Sequence, residues 1–234
     1  MSAEIEVLED PARACAAMLL SAVLHGGDVV LTGGSTPRRA YQELAAALRR
    51  AGGSGLGATT LWFSDERCVP PDDERSNFRL VKQTLLDPLA DMAAPTVMRI
   101  HGELGPHRGA EAYERDLRAA GEPEFDLVLL GLGPDGHCAS LFPDQPTLAE
   151  RARLVVGVEQ AGLEPFVPRV SLTLSALAGA RQTVFLVTGE SKAEAVAAAF
   201  APDATPDPHV PASMLVPLLG DLKVLLDPAA GSRL

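Results

Sequence analysis

Positive charge is scarce in this chain. Lysine and arginine together number 20 against 31 aspartates and glutamates, a formal charge of −11 over 234 residues. Only three of the cations are lysines: Lys82, Lys192 and Lys223. A general nucleic-acid binder needs a basic face to displace counterions, and a membrane-surface protein needs a polybasic one. The charge balance therefore excludes nucleic acid and membrane as partners and leaves a small molecule. An anionic ligand would have to be held by a few local cations against an unfavourable overall field. Cysteine is also sparse. Cys15, Cys68 and Cys138 are far apart, odd in number and in no Cys-x-x-Cys pattern, which points to a reducing compartment and no structural zinc. No apolar run approaches the roughly 18 residues of a membrane span. The acidic start MSAEIEVLEDP lacks the basic-then-apolar order of a signal peptide, so a cytoplasmic location is expected.

Hydrophobic residues make up 47% of the chain and charged residues 22%, an ordinary globular balance. No linker, repeat or low-complexity tract divides it, so one domain spanning 1–234 is expected. Apolar runs alternate with helical patterns throughout. Ala12, Cys15, Ala16, Leu19, Ala22 and Val23 share one helical face, and a second helix opens at Ser35-Thr36-Pro37. Strands are expected at 28–32, 59–63, 125–130 and 183–188, with weaker ones at 97–100, 154–158 and 222–226. The main runs are too continuously apolar for strands exposed on one face, which is the mark of parallel strands covered on both sides. The expected fold is α/β: a Rossmann-like doubly wound, mostly parallel sheet with helices on both faces. Such sheets bind ligands beyond the carboxyl ends of their strands, so the loops there carry the chemistry.

Four loops qualify. Thr32-Gly33-Gly34-Ser35-Thr36-Pro37 places two glycines and two hydroxyls before a helix N-terminus, which fits a phosphate cradle and equally an empty strand-to-helix turn. It is not a Walker A loop, because no Gly-Lys-Ser/Thr follows the glycines. Ser64-Asp65-Glu66-Arg67 offers two acids and an arginine to sugar hydroxyls and a phosphate or carbonyl oxygen; a solvated local ion pair explains it as well. Ser76-Asn77 reads as the N-cap of a helix running to Leu86.

Gly131-x-Gly133-x-x-Gly136 has the letters of a dinucleotide fingerprint. Asp135 would put negative charge where a pyrophosphate should lie, the next glutamate is Glu150, and Pro143 interrupts the following helix. What remains is a glycine loop presenting Asp135 and His137, with histidine the natural acid–base group at neutral pH. A metal reading for Asp135, His137 and Cys138 lacks a recognised ligand spacing. Last, Lys192 stands in the first turn of a helix, where the macrodipole disfavours a cation unless an anion is near, and Arg169 lies on a short alternating segment.

Taken in order, these segments resemble the 6-phosphogluconolactonase family. The likeness runs through Leu31–Pro37, Asp65-Glu66-Arg67-x-Val69-Pro70, Ser76-Asn77, the block Gly133-Pro134-Asp135-Gly136-His137-Cys138-Ala139-Ser140-Leu141-Phe142-Pro143, Arg169–Thr173 and Thr188-Gly189-x-x-Lys192. It extends through Pro211-Ala212-Ser213 and 225–230, nearly the whole chain; Cys138 stands where threonine is expected. The resemblance implies hydrolysis of 6-phospho-D-glucono-1,5-lactone to 6-phosphogluconate in the oxidative pentose phosphate pathway, without metal, nucleotide or other cofactor. It implies His137 as general base, Asp135 as its support and Arg67 as oxyanion stabiliser. Gly33, Gly34, Ser35, Thr36, Asp65, Glu66, Arg169 and Lys192 are expected to bind substrate and its phosphate. A monomer or weak homo-oligomer suffices. Two rival readings are a glucosamine-6-phosphate deaminase and a non-catalytic sugar-phosphate sensor. The deaminases carry a glutamate five residues after the histidine, where this chain has Phe142. A sensor would need no base and would need an appended DNA-binding segment.

Overall fold

The computed structural model describes residues 3–234. In chain order the elements are β1 (Glu4–Val7), α1 (Pro11–Leu24), β2 (Asp28–Leu31), α2 (Pro37–Arg50), β3 (Thr60–Phe63), β4 (Asp65–Arg67), α3 (Asn77–Val81), β5 (Thr96–Val97) and α4 (Pro106–Ala119). Then follow β6 (Leu127–Leu130), β7 (Val155–Val158), β8 (Arg169–Leu172), α5 (Leu174–Ala178), β9 (Gln182–Val187), α6 (Ala193–Phe200), α7 (Pro211–Leu215) and β10 (Asp221–Leu226). Seven strands form one sheet in the order β1-β10-β9-β6-β2-β3-β5, and every pairing in it is parallel. From β2 the chain first winds outward through β3 and β5, then returns to the other side of β2 with β6, β9 and β10. The crevice between β2 and β6 is therefore the topological switch point.

Helices cover both faces, as the apolar strands require. Trp62 and Phe63 are consecutive in β3 and so point to opposite faces. The Trp62 ring meets Tyr113 of α4 edge-on at 5.9 Å, while Phe63 meets Phe78 of α3 at 6.1 Å. All four residues of β6 are buried. Among the described residues no helix is long and apolar enough to cross a membrane.

Two expectations change, and one strand is added. Ser64–Arg67 is not a loop after β3: the chain turns at Ser64 into β4, which belongs to a second, antiparallel sheet ordered β4-β8-β7. Residues 155–158 sit in this small sheet rather than extending the large one. β1, hidden in an acidic stretch, is an edge strand, and Lys223 offsets its acids through ion pairs to Glu4 and Glu6.

The chain's two tyrosines do the same job on neighbouring strands. Tyr41 of α2 accepts a hydrogen bond from the Thr32 N–H at 3.0 Å and donates to the Thr32 carbonyl at 2.7 Å. Tyr113 accepts from the Phe63 N–H at 2.8 Å and donates to its carbonyl at 3.1 Å. Both rings are fully buried, and burial drives both phenols well above the ordinary tyrosine range. Each hydroxyl supplies a donor and an acceptor where the sheet ladder ends, which spares buried backbone groups from being unpaired.

Candidate active site

A cavity of about 310 Å³ opens at the carboxyl ends of β2 and β6. Nine of the expected site residues line it: Gly33, Gly34, Ser35, Thr36, Asp65, Arg67, His137, Arg169 and Lys192. Asp135 and Glu66 do not.

One wall is the loop after β2. Gly34 has φ +94° and faces open space, a backbone conformation that L side chains rarely adopt. Gly33 is glycine for a different reason: a Cβ there would lie 1.8 Å from Asn77 Oδ1. Asn77, the first residue of α3, is itself fixed by donating from Nδ2 to the carbonyl and the carboxylate of Asp65. α2 then begins with Pro37 at its first position. Side chains cap α1, α3 and α5 through Asp10, Ser76 and Thr173; none caps α2, nor α4, α6 or α7. At the start of α2, Pro37 brings no N–H and the Arg38 N–H donates to the Ser35 carbonyl at 3.3 Å, so what this end offers an anion is the positive end of the helix dipole and the glycine loop before it.

The facing wall is the loop after β6. Asp135 Oδ1 lies 2.5 Å from His137 Nδ1 and also accepts from the His137 N–H. Burial pushes the Asp135 carboxyl upward, but the hydrogen bond and charge of His137 outweigh it and hold the group below its usual range. Asp135 thus stands behind the histidine, and Nε2 is the ring nitrogen left to act on a ligand. Gly133 makes the pair possible, since a Cβ there would come 2.0 Å from His137 Nδ1 and 2.4 Å from Asp135 Oδ1. The glycine spacing that imitates a dinucleotide motif is therefore room for an Asp–His pair. Ala139 has φ +49°, a strained value for a residue with a side chain, two positions beyond the histidine. Phe142 packs on the His137 ring at 4.7 Å between centroids.

The floor comes from the small sheet. Arg67 and Arg169 are directly opposed in the β4–β8 ladder, a like-charge pairing that is unfavourable unless an anion separates the two. Arg67 Nη1 donates to the Arg75 carbonyl, while its buried Nε has no partner. Arg169 is not a free clamp. Its Nε and Nη2 donate to the carbonyls of Val167, Leu163 and Pro165, so the guanidinium also shapes the rim segment that carries Leu163 and Glu164. Burial draws Arg169 below the ordinary guanidinium range, Asp65 opposes this and Arg67 adds to it. Lys192, ahead of α6, makes no ion pair among the described residues; burial lowers its pKa and the charge of Asp135 partly restores it. Its loop is pinned by Asp227, whose carboxylate accepts from the Gly189 N–H at 3.0 Å.

The two remaining acids hold the scaffold. The Glu66 carboxylate accepts from Ser76 Oγ and from the N–H groups of Arg67, Asn77 and Phe78, and burial keeps its pKa raised despite these donors. It faces away from the cavity, contrary to its expected contact with substrate. Asp65 lines the cavity, but its carboxylate is taken by Ser140 Oγ at 2.6 Å, by Ser64 and by Asn77. It ties the loop after β6 to β4 and α3. Ser140 and Asp227 carry no sequence signal beyond membership of the motif blocks at 133–143 and 225–230. Among the described residues no group of three His, Cys, Asp or Glu is arranged to hold a metal.

Residues 4–223 match the family described as glucosamine-6-phosphate isomerases/6-phosphogluconolactonase. The chain belongs to that family. Among its relatives there, human 6-phosphogluconolactonase is 41% identical over 208 residues, covering 87% of this chain and 79% of that one. The Synechocystis 6-phosphogluconolactonase is 37% identical, covering 89% and 85%. The solved 6-phosphogluconolactonase from Trypanosoma cruzi superposes with a TM-score of 0.81 at 27% identity, over 100% of this chain and 98% of that one. A monomeric glucosamine-6-phosphate deaminase, at 19% identity and a TM-score of 0.83, shares the fold.

Proposed function

We propose that this cavity hydrolyses 6-phospho-D-glucono-1,5-lactone to 6-phospho-D-gluconate, with His137 as the general base. The observation that carries the reading is the Asp135–His137 pair on one wall, facing an uncapped helix N-terminus on the other with Arg67, Arg169 and Lys192 between. Asp135 fixes the proton on Nδ1, so Nε2 has a lone pair for a water molecule. That water attacks the lactone carbonyl carbon as His137 takes its proton. The carbonyl oxygen becomes an oxyanion, met by Arg67 and loop N–H groups. When the intermediate collapses, the bond from the carbonyl carbon to the ring oxygen breaks and His137 returns the proton to that oxygen. The product is an open-chain acid with a free hydroxyl, and the histidine is neutral again. Gly33, Gly34, Ser35 and Thr36 with Lys192 and Arg169 hold the phosphate meanwhile. Because lactones open unaided, only a modest share of the available catalytic effects is needed.

Deamination of glucosamine 6-phosphate is disfavoured by Phe142, a buried apolar ring on the histidine at the position where the deaminases have their acid. The test is a rapid assay on freshly generated lactone with background hydrolysis subtracted. Turnover above background without ammonia from glucosamine 6-phosphate is expected. A rate equal to the background would overturn the proposal.

A further inference from the structure

We infer that Tyr41 is a positioning residue for phosphate recognition. It acts through the backbone of Thr32, where β2 enters the anion loop; this rests on the function proposed above. The β2–β6 ladder ends at Val30 opposite Val128, while β6 runs on to Leu130 paired with β9 alone. Leu31 is still tied to the neighbouring strand through its carbonyl and the Ser64 N–H. Thr32, only 5% exposed, stands at the crevice with its N–H and carbonyl beyond the last β6 partner. The Tyr41 hydroxyl satisfies both. Gly33 and Gly34 follow immediately, and their permissive backbone cannot hold a geometry by itself. The pose of the cradle is set at its two ends: by Tyr41 on Thr32 before it, and by Pro37 after it. Tyr41 sits one turn further along that same helix, so a single rigid element fixes both ends.

Tyr113 provides the internal control. It makes the same pair of bonds to Phe63, but the residues after Phe63 enter β4, where the ladder to β8 holds them independently. Tyr41→Phe and Tyr113→Phe each delete one hydroxyl and leave two buried backbone groups unpaired, so similar losses of thermal stability are expected. Only Tyr41→Phe should weaken phosphate recognition. We expect KM for the phosphorylated lactone and Kd for 6-phosphogluconate to rise about tenfold, the effect of an unsatisfied buried pair relayed to the cradle. Its kcat, and its kcat/KM on unphosphorylated glucono-1,5-lactone, should stay near the wild-type values. Tyr113→Phe should leave Kd within about twofold.

Equal changes in the two variants on both lactones would overturn the inference, as would an unchanged Kd in Tyr41→Phe. If Tyr41→Phe does not fold, the wild-type chain with 3-fluorotyrosine at both tyrosines decides. Saturating 6-phosphogluconate should shift the fluorine signal that persists in Tyr113→Phe, and no shift of that signal would refute the role. Calorimetric binding of 6-phosphogluconate needs no turnover. A failure of lactone hydrolysis is therefore distinguishable from a failure of Tyr41.

Discussion

The two ends of the large sheet differ in how they treat charge. At the amino ends of the strands lies the roomier hollow, about 770 Å³, bordered by His25, Asp126, Arg181 and Asp221. Its charges are paired off. Arg181 bonds Glu124 and Asp126, Asp126 also accepts from the Asp28 N–H, Asp28 accepts from Trp62 Nε1, and Gln182 donates to Asp221. At the carboxyl ends the cavity is less than half that size, yet two arginines oppose each other, one of them with a partnerless Nε, and a lysine lacks an ion pair. In a chain of net charge −11, leaving cations uncompensated beside a helix N-terminus costs stability. The difference marks a binding site more clearly than volume does.

The sharpest way to break this comparison is to remove the base. His137→Ala should lower kcat on the order of 10²- to 10⁴-fold, the usual contribution of general base catalysis. Binding of 6-phosphogluconate by calorimetry should survive; its loss would mean that His137 serves binding rather than chemistry. Gly133→Ala comes next. The new Cβ must displace His137 or Asp135, and a misplacement of about 1 Å is worth up to roughly 100-fold in kcat. Steady-state kinetics that match the wild type would show that the close approach of Gly133 has no role in aligning the pair.

Lys192→Ala should raise KM for the phosphorylated lactone by roughly 10- to 100-fold, as expected for a lost charge-assisted contact, with little effect on the unphosphorylated lactone. The same residue has a pH signature. Burial lowers the Lys192 pKa, so the free protein loses this charge at a lower pH than a solvated lysine would. Affinity for 6-phosphogluconate should therefore fall as pH rises through that depressed value. In Lys192→Ala this inflection should vanish; its persistence would assign it to another group. The smallest effect belongs to the amino end. Arg181→Ala removes an exposed ion-pair cluster and should leave KM and kcat unchanged, since surface pairs contribute little. A change in KM would show that charge at the far end of the sheet reaches the site.

Much of the large sheet was legible because its strands are continuous apolar runs. The runs at 28–32, 59–63, 125–130 and 183–188 became β2, β3, β6 and β9, each within a residue or two at either end. β4 and β8 were harder. They read Asp-Glu-Arg and Arg-Val-Ser-Leu, and their polar side chains, Arg67 excepted, are buried only because the two strands pair in the second sheet at the cavity floor. The acids show the same limit. Asp65 and Glu66 were expected to bind substrate, and Asp135 to support His137. One turns inward to brace α3, one ties the histidine loop to β4, and one stands behind His137.

Taken alone, the sequence determined what depends on local pattern. That includes the strand–helix alternation, the glycine loops at strand ends, the candidate base, and the scarcity of cations that restricted any anion site to a few residues. The tertiary structure decided which side chains face the cavity and which serve its frame. It set Arg67 against Arg169 from positions 102 residues apart in number and wrapped four donors around Glu66. It also placed one tyrosine hydroxyl at the end of each of two adjacent strands. These pairings are settled by how buried polar groups find partners once the chain is packed, and no local spacing records them.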